Sequence, residues 1–160
     1  MKFKDSKFGN LKGKEYIGNI DLYKSGLTSL EGSPDKVLGG DFLCDFNSLT
    51  SLKGGPTMLV HRDGFGKRHS LLSYSVSDNP TLMSLEGAPK LIEGSFFCRR
   101  IGVKNVVGEI IKYQIKAERY YFDGSDKDGM EYSVIKKEFE AERMKNSITS
   151  KGFRTLLGIK

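Results

Sequence analysis

The strongest constraint on this chain is internal repetition. Leu27-Thr28-Ser29-Leu30-Glu31-Gly32-Ser33-Pro34 returns as Leu49-Thr50-Ser51-Leu52-Lys53-Gly54-Gly55-Pro56, and again as Leu82-Met83-Ser84-Leu85-Glu86-Gly87-Ala88-Pro89. The first step is 22 residues and the second 33, so one copy carries an 11-residue insertion. Repetition at such a period signals a solenoid, in which no unit can bury its own apolar face and neighbours must stack to make a core. Chains built this way bind more often than they catalyse.

Around the second copy the repeat resolves into positions. In Phe42-Leu43-Cys44-Asp45-Phe46-Asn47-Ser48-Leu49-Thr50-Ser51-Leu52, apolar residues stand at the first, third, eighth and eleventh places and Asn at the sixth. The other copies run from Ile20-Asp21-Leu22 to Leu27 and Leu30, from Tyr74-Ser75-Val76 through Asn79 to Leu82 and Leu85, and from Phe96-Phe97-Cys98 to Ile101, Val103 and Val106. The third has one extra residue near Pro80. Four coils are therefore visible, with a degenerate cap expected over Phe3 to Gly13.

This arrangement resembles the short leucine-rich repeats of bacterial and phage proteins, over roughly residues 15 to 108. The resemblance implies a fold class of α+β type: a short leucine-rich-repeat solenoid with parallel strands, followed by a C-terminal helical cap. It implies a binding habit and carries over no catalytic residues. Ser25 and Ile101 stand where the repeat calls for Asn, so the asparagine ladder is broken at the first and last coils.

Alternation puts Phe42 and Cys44 on the inner side of a short strand and Leu43 on the outer. The Gly-Gly or Glu-Gly before each strand admits backbone angles that side chains resist. Pro34, Pro56 and Pro89 predict an extended far side made of loop or polyproline-like backbone. Residues 1–108 form the solenoid with its N-terminal cap in this reading, and residues 109–160 a helical cap or hairpin. In the second part, Ile111, Ile115 and Glu118 or Arg119 follow helical spacing, with Tyr121 and Phe122 closing the apolar face. Asp123 to Gly129 reads as a polar turn. A second helix is predicted from Tyr132 to about Lys145, striped by Ile135, Phe139 and Arg143.

At 160 residues and 38% apolar content the chain has enough material for one modest core. No apolar run approaches a membrane span and the N-terminus lacks the apolar stretch of a signal peptide, so the expected compartment is cytoplasmic. Cys44 and Cys98, at equivalent repeat positions, read as buried thiols. The net charge of +6 invites a nucleic-acid reading. Lys and Arg outnumber Asp and Glu by 15 to 11 in residues 1–108 and by 11 to 9 in residues 109–160, so neither half is a basic block.

No motif supports catalysis. Asp123 to Asp128 lacks the spacing and the closing Glu of an EF-hand. His61 and His69 have no third strong ligand nearby, and neither a phosphate-binding loop nor a nucleophile elbow occurs. No catalytic residue, metal or cofactor is predicted. The functional expectation is a non-enzymatic protein-binding module, of the accessory kind that phages and bacteria encode. Its candidate contacts are Asp21, Leu43, Ser75 and Phe97 in one outward column, flanked by Tyr23, Asp45, Ser77 and Arg99. Arg62, Phe65 and Arg68 in the insertion are further candidates, with Phe65 set between two glycines among basic residues. The alternative is nucleic-acid binding through Arg62, Lys67, Arg68, Arg99 and Arg100.

Overall fold

The computed structural model describes residues 1–62 and 72–156 of the chain. They form a parallel-strand solenoid of about four turns with two helices at its C-terminal end. Each turn contributes one strand to each of two sheets. The strands β1 (Glu15–Ile17), β3 (Lys36–Leu38), β5 (Met58–Val60) and β7 (Leu91–Ile92) make a four-stranded sheet in that order. The strands β2 (Ile20–Asp21), β4 (Phe42–Leu43), β6 (Leu72–Ser75), β8 (Gly94–Phe97) and β9 (Arg119–Tyr121) make a five-stranded sheet, with every strand pair parallel. The helices are α1 (Val106–Lys112) and α2 (Tyr132–Leu156).

The alternating reading of the strands holds: Phe42, Cys44, Leu49 and Leu52 are fully buried while Leu43 is partly exposed. Equivalent residues stack from turn to turn, with Ile20, Phe42, Tyr74, Phe96 and Tyr120 in register. The last four make an unbroken aromatic column, with ring centroids 5.3, 5.6 and 6.4 Å apart. Phe3 stacks on Phe42 at 6.3 Å at one end, and Tyr132 of α2 meets Tyr120 at 6.3 Å at the other. Such rings bring large apolar area with a preferred geometry and so fix the stacking distance of the coils.

The expected loop-like far side is not present. The prolines lead instead into the second sheet, and Pro34, Pro56 and Pro89 are themselves buried. A strand of two or three residues shows only one inward side chain, here Tyr16, Val37, Leu59 or Ile92 of each turn, so alternation has nothing to repeat. Between the two strands of a turn the backbone bends sharply against its neighbour. A Cβ at Gly40 would lie 2.0 Å from the Gly18 carbonyl oxygen, and one at Gly94 1.9 Å from that of Leu72. Only glycine fits there for steric reasons.

Asparagine performs the internal wiring of the third side. Asn79 is fully buried; its amide donates to the carbonyls of Cys44, Val76 and Ser77, and its carbonyl accepts from the Leu49 amide. Asn47 likewise donates to Leu22, Cys44 and Asp45, and accepts from the amides of Ser25 and Leu27. Each Asn therefore serves the turn before its own, which is why the first turn manages with Ser25. The repeated Ser29, Ser51 and Ser84 accept from the amide two residues on, closing equivalent turns. Phe42 pairs with Tyr74, 32 residues on, whereas Leu49 is matched by Leu82, so the extra residue at Pro80 sits in the turn closed by the Leu82 amide and Asn79 carbonyl.

The first helix departs from expectation. α1 ends at Lys112, and the chain reverses through Gln114, whose φ is +53°, with the Ile115 amide bonded back to the Ile110 carbonyl. Arg119 to Phe122 then alternates out and in as a strand, with Tyr120 and Phe122 buried. The spacing of Ile111 and Ile115 mimics a helix because a helix end and a buried turn fall one after the other. β9 adds a fifth rung, and the Tyr120 and Met130 backbones exchange hydrogen bonds across its outer edge. α2 packs through Tyr132 and Ile135, Phe139 is half-buried, and residues 140–145 are exposed. At the other end Phe3 is buried, Phe8 and Leu11 pack beside it, and Lys2 and Lys4 hold Glu31 at 2.7 and 2.9 Å.

Candidate binding face

Parallel in-register pairing turns residues of different coils into columns on the outer face of the five-stranded sheet. Asp21, Leu43, Ser75 and Phe97 are direct neighbours in this way, and the register continues to Tyr121. Phe97 and Tyr121 stack face to face at 4.4 Å, with the Arg99 guanidinium 5.7 Å from the Tyr121 ring centre. An aromatic pair with a cation against one face is a compact, apolar yet charged contact element.

In the middle of the column the side chains are small and satisfied. The Ser75 hydroxyl donates a short hydrogen bond to Asp45, and the Arg99 amide donates to the Ser77 hydroxyl at 3.0 Å. Burial of Asp45 pushes its carboxyl above the usual carboxylate range, against the opposing effect of the Ser75 bond. At the first strand the Asp21 carboxylate accepts from the Tyr23 amide, so the outermost strand partly blunts its own edge.

Beside the column runs a rim that sequence reasoning missed. Lys24, Phe46, Asp78 and Arg100 are the fourth residues beyond the stacked Ile20, Phe42, Tyr74 and Phe96, and all have left-handed φ, between +48° and +57°. Gly124, four beyond Tyr120, has φ +90°. For an L-residue this conformation costs roughly 1–2 kcal/mol. The side chains so placed are large and mostly exposed. Tyr23 and Phe46 meet edge to face at 5.2 Å, 50% and 45% exposed, and the Lys24 ammonium lies 5.4 and 5.3 Å from their ring centres. Further along, Arg100 forks onto Asp78 with bonds of 2.5 and 2.8 Å, and its amide is held by Asp123. The Arg100 guanidinium holds the Asp78 carboxyl below its ordinary range.

Of the residues singled out from sequence, Asp21, Tyr23, Leu43, Asp45, Ser75, Ser77, Phe97 and Arg99 share this face. Arg62 does not join Tyr23, Asp45 and Arg99: it is exposed just beyond β5, at the corner that leads into β6, whereas those three lie at the far ends of their strands. Phe65, Lys67, Arg68 and His69 lie outside the described residues. His61 is half-buried, and its amide donates to Glu93. Cys44 and Cys98 are free and buried, and burial pushes both thiols up. Among the described residues no three His, Cys, Asp or Glu side chains gather as a metal site, and no helix is long and apolar enough to cross a membrane. No family model matches the chain, and neither a curated protein nor a solved structure matches it.

Proposed function

We propose that this protein is a non-enzymatic protein-binding module built on a short leucine-rich-repeat solenoid, engaging its partner with the outer face of the five-stranded sheet and the rim beside it. The observation that carries the reading is the rim. Four successive coils hold Lys, Phe, Asp and Arg in a backbone conformation that glycine would occupy at lower cost, and two of those four side chains stand beside exposed aromatics or cations. Strain kept at one place in every repeat is a mark of a functional surface. Aromatic residues and arginine are also the types that dominate binding hot spots.

The test compares what wild-type protein captures from cells of its source with what three variants capture. Tyr23→Ser/Phe46→Ser and Phe97→Ser alter this face, and Ile17→Ser alters an equally exposed apolar residue on the other sheet, 56% exposed. A partner lost with the first two and retained with the third supports the reading. Capture unaffected by the face variants sinks it. Binding to any DNA or RNA with a steep inverse dependence on salt would replace it with a nucleic-acid reading, since each phosphate contact releases counterions.

A further inference from the structure

Away from this face, an open cavity of about 600 Å³ lies between α1, the first half of α2 and the turn at Met83. Its volume falls in the range of small-molecule sites. Met83, Val103, Ile111 and Phe139 supply its apolar walls. Gly102 lets the chain before α1 approach the preceding turn closely: a Cβ there would lie 2.7 Å from the Pro80 carbonyl oxygen and 2.4 Å from the Met83 sulfur.

The repeat departs from itself at this place. The residues that follow Leu27, Leu49, Leu82 and Val103 occupy one position of the coil, and they are Thr28, Thr50, Met83 and Lys104. Two threonines give way to a thioether and an ammonium, and both of the replacements line the cavity. Met83 stands 62% exposed there. A flexible, polarisable side chain left open to water adds little to stability and is well suited to gripping an apolar body.

Charge decides which apolar body fits. Lys104 and Lys112 line the cavity against one carboxylate, Glu109, whose Oε2 is buried and does not face the opening. Both lysines are exposed, the Lys112 ammonium lying 5.2 Å from the Tyr113 ring centre. Among the described residues neither ammonium pairs with a carboxylate. The Asn105 side-chain carbonyl accepts from the Gly108 amide at 2.9 Å, which leaves its NH2 group as a further donor. Two cations and a neutral donor beside an apolar wall call for an anion with an apolar body.

We propose that this cavity binds a small carboxylic acid, in its ionised form, carrying an aromatic or alkyl body. The body lies against Met83, Val103, Ile111 and Phe139, and the carboxylate faces Lys104, Lys112 and the Asn105 amide. Exposed ion pairs are weak, so the apolar contact supplies most of the affinity and the lysines supply the choice of charge. The test titrates the full-length protein with 3-phenylpropionate, 3-phenylpropanol and 3-phenylpropylammonium, following backbone amide shifts by NMR. Expected is saturable binding of the carboxylate with shifts centred on residues 102–112, about fivefold weaker binding of the alcohol and the weakest binding of the ammonium. Lys104→Gln/Lys112→Gln should bring the carboxylate down to the level of the alcohol and leave the alcohol unchanged. Met83→Thr, which restores the residue of the earlier coils, should weaken all three. Preserved amide dispersion in each variant shows that the fold is intact. Absence of saturation with every probe, shifts scattered over the whole molecule, or a carboxylate preference that is missing in the wild type or survives both lysine replacements overturns the proposal.

Discussion

Asn79 makes four hydrogen bonds to main-chain groups that strands leave unpaired, and it does so with no solvent contact. Removing it strands several buried donors and acceptors at once, each worth about 1–3 kcal/mol when unsatisfied. Asn79→Ala should therefore lower stability by about 3 kcal/mol in urea unfolding; a loss within a few tenths would mean that water takes over these bonds. Glycines separate into two kinds. Gly94→Ala forces a methyl group into backbone, whereas Gly124→Ala meets only open space at φ +90° and bears the left-handed penalty alone. The first variant should lose clearly more stability than the second. Glu31 supplies the pH-dependent case: hydrogen bonds from Lys2 and Lys4 lower its carboxyl from the ordinary 4.5 to about 2. A depressed carboxyl stabilises the fold above its unfolded value, so this contribution is complete above pH 4.5 and fades as pH falls toward 2. The groups are exposed, and NMR titration should show the Glu31 midpoint moving back toward 4.5 in high salt; an ordinary midpoint at low salt would refute the clasp.

Among the elements, the first half of α2 is packed on a narrow stripe. The helix has 25 residues, about 37 Å of rise, and over residues 132–145 it meets the core through Tyr132 and Ile135. Ile135→Ala should cost about 3 kcal/mol, in the range of other buried truncations. Met144→Ala, at a side chain 63% exposed, should cost less than half a kcal/mol; equal losses would show that the outer turns are packed as well. The same element-by-element view explains what the sequence revealed. β4 was legible because Phe42 and Cys44 both point inward around Leu43. β3, β5 and β7 were not, since a single inward Val37, Leu59 or Ile92 carries no period, and the neighbouring prolines suggested a loop. The stretch that forms β9 has a helical look in the sequence because Ile111 and Ile115 happen to be four apart, and that spacing hides Tyr121 from the outward column. The column itself followed from the register. The rim could not be read from residue type, because Lys, Phe, Asp and Arg share no chemistry and are united only by backbone angle; counting one place back from Asn47 and Asn79 would have found Phe46 and Asp78.

For the whole molecule, the buried aromatic column from Phe42 to Tyr120 ties the second turn and all later ones to their neighbours, and Asn47 and Asn79 each bond across a turn boundary. A solenoid can unravel from its ends when the interfaces between repeats are weak. Here strong interfaces should make unfolding a single event. The two buried thiols report on this, Cys44 from the second turn and Cys98 from the fourth. In variants that each keep one cysteine, both thiols should become reactive toward a disulfide reagent at the same urea concentration. Exposure of Cys98 well before Cys44 would mean that the C-terminal turns fray independently.

The in-register parallel pairing of the five outer strands has a consequence of a metric kind. Neighbouring strands stand about 4.8 Å apart, so the column from Asp21 to Tyr121 is a ruler of about 19 Å with one graduation per turn. A 22-residue insert lengthens the chain by one whole graduation, because it restores the pairing of its neighbours. Duplicating one coil would move the Phe97 and Tyr121 pair one graduation away from Tyr23 and Phe46 without altering either end. A partner that grips both ends would then be sensitive to a spacing change of under 5 Å, while one that grips a single end would not notice the extra turn.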